Sequence, residues 1–353
     1  MDPKRHGARS HSMFASLSSP VLLGIGLVAT VVILVSGLRM TGLADRIADR
    51  TGLGEALIGG VLLGAATSVS GTVVSLTSAL SGNASLAFSN GIGGIAAQTA
   101  FLAIADMLYR RANLEHAAAE LANMFQCGIL LLLLSVPFVA YSAPSVTIFA
   151  IHPASILLVV IYAIGVIATA RLRKQPMWEP VDTSDTRPDT PEDEDDRSQP
   201  ARGLILQFVL LMLIMGSAGW CIAQLAQVLI TRYELSSSMV GALMTAVVTS
   251  FPELVTTLAA VRRGALQLAV GGIIGGNTFD ILFLTLSDIG FRDGSVYHAI
   301  GRDDLLWLGV AAMMTAVLLL GLLYRERRGP GRIGAESATM LAIYAGGIAV
   351  QAF

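Results

Sequence analysis

Apolar residues run along this chain in ten blocks of about membrane length, and the charged residues collect in the short segments between them. Lipid offers no partner to a backbone N–H or C=O, so a block of about 20 apolar residues satisfies its own backbone only as a helix. The pattern predicts spans at 19–38, 54–80, 84–109, 118–141, 146–171, 203–230, 237–261, 265–287, 304–324 and 335–352. The second, third, seventh and eighth stand apart in their density of Gly, Ser and Thr. The first follows Lys4, Arg5 and Arg9, as the apolar part of a signal peptide would. Its length and the lack of an A-x-A cleavage site predict a retained helix instead.

Between the fifth and sixth blocks, Gln175 to Arg202 is rich in proline and carries the run Glu192-Asp193-Glu194-Asp195-Asp196. Such a segment cannot bury a core and is expected to be a disordered, solvated tether in preference to a regulatory calcium-binding tail. The chain then divides into an N-terminal tail (1–18), a first five-helix half (19–171), an acidic linker (172–202) and a second five-helix half (203–353).

The two halves carry related sequence. Thr67-Ser68 aligns with Thr249-Ser250 at an offset of 182 residues. The same offset, without a gap, matches Gly59 with Gly241, Val73 with Val255, Gly82 with Gly264, and Leu86-Ala87 with Leu268-Ala269. It also matches Ile92-Gly93-Gly94 with Ile274-Gly275-Gly276, Phe101-Leu102 with Phe283-Leu284, and Asp106 with Asp288. The repeats run over about 59–106 and 241–288. Five spans separate the copies, an odd number, so they are expected to cross the membrane in opposite directions. Inverted repeats of this kind mark secondary transporters, whose ion sites lie at the midplane where the repeats meet. The fold class read from the sequence is an all-α membrane protein of ten transmembrane helices in two inverted five-helix repeats.

Composition narrows the functional classes. The chain is 54% hydrophobic and 14% charged, where a soluble domain carries about 25% charged residues. A net charge of −2 offers no basic field for nucleic acid. Cys127 and Cys221 lie alone in apolar stretches with no CxxC spacing, and are read as packing residues. With ten spans the termini share a face. That face holds Lys4, Arg5, Arg9, Arg232, Arg292 and Arg302, and the opposite face holds the remaining 17 of the 23 basic residues. The positive-inside rule makes the opposite face cytoplasmic. The expected location is the cell membrane, with termini outside and the central linker in the cytoplasm.

Two stretches carry chemistry. Thr249-Ser250-Phe251-Pro252-Glu253 puts a proline and a carboxylate near the middle of the seventh span. A charge at a helix centre costs about 2.5–3.5 kcal/mol on insertion scales, so Glu253 is expected to face a polar cavity or bind a cation. Proline removes a ladder hydrogen bond and frees a carbonyl that can turn to an ion. In the eighth span, Gly271-Gly272-Ile273-Ile274-Gly275-Gly276-Asn277-Thr278-Phe279-Asp280 ends in an amide and a second carboxylate. Its glycines permit close backbone approach, and Asn277 lies one turn before Asp280 on the same face. Oxygen donors of these kinds suit hard cations such as Na⁺ and Ca²⁺. Asp106 and Asp288 close the repeats at span ends near water and are expected as interface residues. No histidine adjoins either motif, and no Ser/His/Asp or HExxH arrangement is present, which disfavours an enzyme.

The set Thr249-Ser250-x-Pro252-Glu253, Gly264, Leu268-Ala269-x-Gly271 and Gly275-x-Asn277-x-Phe279-Asp280-Ile281-Leu282 resembles the second α-repeat of the sodium/calcium exchanger superfamily. The resemblance implies alternating access with ions held between the second, third, seventh and eighth spans. It implies Glu253 as central ligand, Thr249 and Ser250 as hydroxyl and carbonyl ligands, Asp280 as the carboxylate of the adjacent helix, and Thr67 and Ser68 as first-repeat counterparts. No cofactor is implied; the ions at the site, Ca²⁺ or Na⁺, are cargo. The first repeat departs from the family. Ser70 stands where proline is expected, Gly71 where the other central glutamate is expected, and Ile95 and Gln98 at two further polar positions. Ser89, Asn90 and Gln98 remain as oxygen donors there.

A dehydrated divalent cation needs about two negative charges nearby, and here both must come from the second half. The expected function is a cation antiporter exchanging Ca²⁺ or another cation against Na⁺ or H⁺. Proton coupling enters because two acids placed together without a cation share a proton. The rival reading, motivated by Gly71, is a degenerate homologue that does not transport and acts as a membrane sensor or scaffold.

Overall fold

The computed structural model describes residues 14–51, 64–109, 111–181, 183, 201–327, 329 and 333–352. Among these the regular structure is helical. The principal helices are α1 (Ser19–Thr51), α2 (Val69–Leu80), α3 (Ala84–Leu108), α4 (Leu121–Ser142), α5 (Pro153–Lys174) and α6 (Ala201–Tyr233). They continue with α7 (Ser237–Thr249), α8 (Phe251–Arg263), α9 (Leu266–Asp280), α10 (Leu282–Gly290), α11 (Arg302–Tyr324) and α12 (Ala335–Ala352). Single helical turns lie at Leu114–Ala117 and Val296–Ala299.

Among the described residues seven segments are long and apolar enough to cross a membrane, counting α9 with α10. An eighth is gained if α7 and α8 form one bent span. Two further helices, α2 with 12 residues and α12 with 18, fall on the second and tenth predicted blocks. The start of the second block, 54–63, and the acidic run of the linker lie outside the described residues. Helices α5 and α6 extend to Lys174 and Ala201, so each runs slightly into the segment expected to be linker.

Packing sorts the helices into a core and a flanking pair. Helix α3 is the most enclosed, with 83% of its apolar window buried against 28% for α1. Its small residues explain the position. A Cβ at Gly93 would overlap the Ala242 Cα, and a Cβ at Gly241 would meet the Leu86 carbonyl at 3.0 Å, so α3 and α7 cross almost backbone to backbone. Helices α1 and α6, 33 residues each, lie antiparallel, since Ser19 at the start of one bonds Tyr233 at the end of the other over 2.8 Å. Their outward faces show Leu23, Leu27, Val28, Leu206 and Leu213, all suited to lipid. Gly37 of α1 packs onto the Pro252 ring, where a Cβ would stand 2.6 Å away.

The sequence pattern assigned the break in the seventh span to proline. Helices α7 and α8 do bend by 46°, with Pro252 in the first turn of α8. The first half nevertheless breaks at the matching place without a proline. Ser68 (φ −87°, ψ 1°) and Ser250 (φ −96°, ψ 4°) adopt nearly the same non-helical geometry, each heading a new helix. Gly82 and Gly264, matched at the offset, also share a positive φ, +79° and +85°, which a side chain would strain.

The offset reappears in how the halves are tied. The Asp106 carboxylate accepts from the amides of Leu114 (2.6 Å) and Gly334 (3.0 Å) and reaches the Ser337 hydroxyl. Asp288 accepts from the amides of Val296 (3.1 Å) and His152 (2.7 Å) and from the Ser155 hydroxyl (2.8 Å). Each partner of Asp288 is the repeat equivalent of a partner of Asp106. The two aspartates were expected near water, yet they are 1% and 0% exposed. They satisfy the orphan amides at the starts of α12 and α5, each in the other half of the chain.

Candidate cation site

The two broken helices bring their breaks face to face against α3 and α9. Thr67 and Ser68 precede α2, Thr249 and Ser250 end α7, Glu253 lies in the first turn of α8, Gln98 is on α3, and Asn277 and Asp280 are on the last turns of α9. All eight are buried.

Asp280 is the hub. Its Oδ1 accepts from the Ser68 hydroxyl at 2.5 Å and its Oδ2 from Gln98 Nε2 at 2.6 Å. The same amide donates to the Ser250 hydroxyl at 3.3 Å. Glu253 stands within electrostatic reach of Asp280 and takes a bond from the Thr67 hydroxyl. Its Oε2 is buried without a partner, as is the Gln98 Oε1. The unpartnered oxygens of Glu253 and Gln98, with the Asp280 carboxylate beside them, form an electron-rich space with no basic partner among the described residues, an arrangement a cation would complete. Gly94 and Gly276 keep that space open: a Cβ at Gly94 would stand 3.7 Å from Asp280 Oδ2, and one at Gly276 3.2 Å from Gln98 Oε1.

Other expected residues turn elsewhere. Asn277 donates to the Thr99 hydroxyl at 3.0 Å, leaving its Oδ1 unpartnered. The Thr249 hydroxyl is spent on its own helix, donating to the carbonyls of Thr245 and Ala246. Of Ser89, Asn90 and Gln98, only Gln98 joins the cluster. Asn90 is bound to Gly71, Ser75 and Thr245, and Ser89 to Asp304 and Ser238. Among the described residues no group of three or more His, Cys, Asp or Glu is arranged to hold a metal ion, so the cluster rests on two acids plus hydroxyl and amide oxygens.

Sequence reasoning missed Phe283. Its ring occupies the place beside Gly71 where the family resemblance expects an acid, and a Cβ on Gly71 would lie 2.7 Å from Phe283 Cε2. Phe279 stacks edge-on to Phe283 and to Tyr162, with centroids 6.4 and 6.1 Å apart. Asp304, 1% exposed and accepting from Ser85 and Ser89, was also missed. Its position at the start of a predicted span, where an acid caps amides, was the available signal.

A bundle of membrane-length helices with broken segments meeting around buried carboxylates defines a multi-pass membrane protein of the ion-transporter class. The profile of the family described as sodium/calcium exchanger protein matches residues 21–170 and 203–353, and the chain belongs to that family. Among curated proteins it is similar to the inner membrane protein YrbG of Escherichia coli (strain K12), 38% identical over 85 residues. It is also similar to the putative antiporter CaxA of Alkalimonas amylolytica, 33% identical over 108 residues. These alignments cover 23% and 29% of this chain and only 26% and 33% of the relatives' own lengths. Among solved structures, the sodium-calcium exchanger NCX_Mj superposes with a TM-score of 0.59 at 17% identity, covering 94% of this chain and 99% of that one. YfkE superposes with a TM-score of 0.60 at 13% identity, covering 94% and 92%. At such identities the likeness is one of fold.

Proposed function

We propose that the chain is a secondary-active antiporter that exchanges Ca²⁺ or another cation against Na⁺ or H⁺ by alternating access. It would span the cell membrane ten times, as inverted halves at 19–171 and 203–353, with the termini outside and the linker 172–202 in the cytoplasm. The cation would sit between the two breaks, held by Glu253 and Asp280 and by oxygens of Thr67, Ser68, Ser250 and Gln98. The Thr249 carbonyl and the Asn277 Oδ1 would complete the set.

One observation carries the reading: the unpartnered, buried Oε2 of Glu253 lies beside Asp280 where two helices break. An uncompensated buried carboxylate is costly, so this one must either hold a proton or be completed by a cation. Binding a cation supplies the missing charge, and releasing it restores the cost, which suits a cargo site. Membership of the exchanger family and the likeness in fold to the sodium-calcium exchanger NCX_Mj support the same reading. In proteoliposomes, Glu253→Gln is expected to abolish cation uptake driven by a Na⁺ or H⁺ gradient; uptake at the wild-type rate would sink the proposal.

The second reading, a non-transporting scaffold, is favoured by the Phe283 ring in place of a first-repeat acid. Thermal unfolding separates the two. Ligand binding to the folded state raises stability by mass action, so a transporter's melting temperature rises with its cation while a scaffold's does not.

A further inference from the structure

Two acids at the end of α3 take no part in the site above: Glu115, in the turn Leu114–Ala117, and Glu336, in the first turn of α12. Glu115 is only 2% exposed. Its Oε1 accepts from the Ser337 hydroxyl at 3.0 Å, while its Oε2 is buried with no partner. The Glu336 Oε2 is likewise buried and unpartnered. Both side chains press on Gly321 of α11, where a Cβ would lie 2.7 Å from Glu336 Cγ and 3.2 Å from Glu115 Cγ, so the two acids share one small space. Asp106 acts on Glu115 from α3.

Among the described residues no basic side chain forms a salt bridge with either acid. His116, next to Glu115, turns its Nδ1 to the Arg325 carbonyl (2.7 Å) and its Nε2 to Thr183 (2.9 Å). The Arg325 guanidinium donates to the carbonyls of Val181 and His116, and Glu326 accepts from the Ala335 amide. Neither oxygen of Glu115 receives a bond from a basic side chain.

The other half of the molecule serves as an internal reference. At the repeat offset Asp106 corresponds to Asp288, Ser337 to Ser155, Glu115 to Tyr297 and Glu336 to Ala154. There the Tyr297 hydroxyl pairs with Ser155 at 2.9 Å, and Ser155 donates to Asp288. The place of Glu115 is thus filled in the reference copy by a neutral O–H group. The protonated carboxylic acid is the form of Glu115 that matches it.

We propose that Glu115 is a buried proton-binding site, and that its proton, exchanged with water, governs how firmly the start of α12 is held to α3 and α11. Ionised, Glu115 would bring three carboxylates together over one hydroxyl and the two amides that already serve Asp106. Repulsion among the carboxylates would then strain the bonds of Gly334 to Asp106 and of Ser337 to Glu115, the first contacts of α12. Burial foremost, then the Asp106 carboxylate, pushes Glu115 up to about 8 from the ordinary glutamate value of 4.5.

The sign of the pH effect follows. Folded protein holds this proton more tightly than unfolded protein does, so the stability it confers is complete below the unfolded value. That stability is lost as pH rises through about 8. The test is a pH titration of the purified full-length protein, read by thermal unfolding and by the infrared band of protonated carboxyl groups. In the wild type the melting temperature should fall as pH rises from 4.5 to about 8 and level off above, while a carboxyl band disappears with a midpoint near 8. Glu115→Gln, which keeps shape and neutrality, should lessen the slope and lose part of the band. Glu336→Gln, which removes one repelling charge, should keep the band and lower its midpoint. A Glu115→Gln protein with the wild-type slope and band overturns the proposal. Should that variant not fold, an unchanged midpoint in Glu336→Gln overturns it equally.

Discussion

Gln98 and Asp280 are equivalent positions of the two repeats, and they bond directly to each other, Nε2 to Oδ2, at 2.6 Å. Residues related by a repeat can touch only where the two copies meet, so this bond marks the junction of the halves. The neighbouring bonds follow the same relation. Ser68 donates to Asp280 while Ser250 accepts from Gln98, and Ser68 is the equivalent of Ser250. The junction is alike in position but not in charge, because an amide faces a carboxylate. That difference leaves the cluster with two acids, both from the second half.

Gln98→Ala would leave Asp280 Oδ2 and the Ser250 hydroxyl without their shared donor. Losing the partner of a buried polar group costs about 1–3 kcal/mol. We expect a lower melting temperature in cation-free buffer, partly recovered by adding the transported ion, which would replace the lost positive end. Thermal unfolding with and without Ca²⁺ and Na⁺ reads both effects, and an unchanged melting temperature would contradict the hub role of Asp280.

Gly71→Glu should not by itself restore a second acid to the first repeat. Its Cβ would meet the Phe283 ring at 2.7 Å, and overpacking of this kind costs about 1–3 kcal/mol. Combining it with Phe283→Ala should recover stability and add stabilisation by divalent cations. A double-mutant cycle measured by thermal unfolding tests the coupling; simple additivity would show that the ring does not occupy the acid's place.

Asp288→Ala would strip the start of α5 of its acceptor, freeing the amides of His152 and Val296 and the Ser155 hydroxyl. Hydrogen bonds to a charged group are worth about 1.5–3 kcal/mol each, and here they are not additive. A loss of at least about 2 kcal/mol is expected, with Asp106→Ala producing a comparable loss at α12. Denaturant unfolding of the two variants side by side checks the equivalence.

Hydrophobic patterning was enough to show a chain of membrane-length helices, and the repeat put the Gly-rich elements and the acids Glu253 and Asp280 on neighbouring segments. The Thr-Ser pairs were legible for the same reason, since composition along a single helix is a local property. Which polar faces converge was not. Asn277 was grouped with Asp280 from its one-turn spacing, yet it bonds Thr99 on α3. Asn90 and Ser89 offered oxygen on paper, and packing committed both to neighbours from other helices. Asp106 and Asp288 gave no sign of their partners, which lie at the far ends of the opposite halves.

The sequence by itself therefore determined that the chain is a membrane bundle of two related halves with acids at its centre. Tertiary structure decided that Gln98 faces Asp280, that Phe283 fills the space beside Gly71, and that Glu115 stands where its counterpart is Tyr297. The reason is physical. Helix formation in lipid is dictated by each segment's own backbone and side chains, whereas the rotation of one helix against another is settled by close packing across distant parts of the chain.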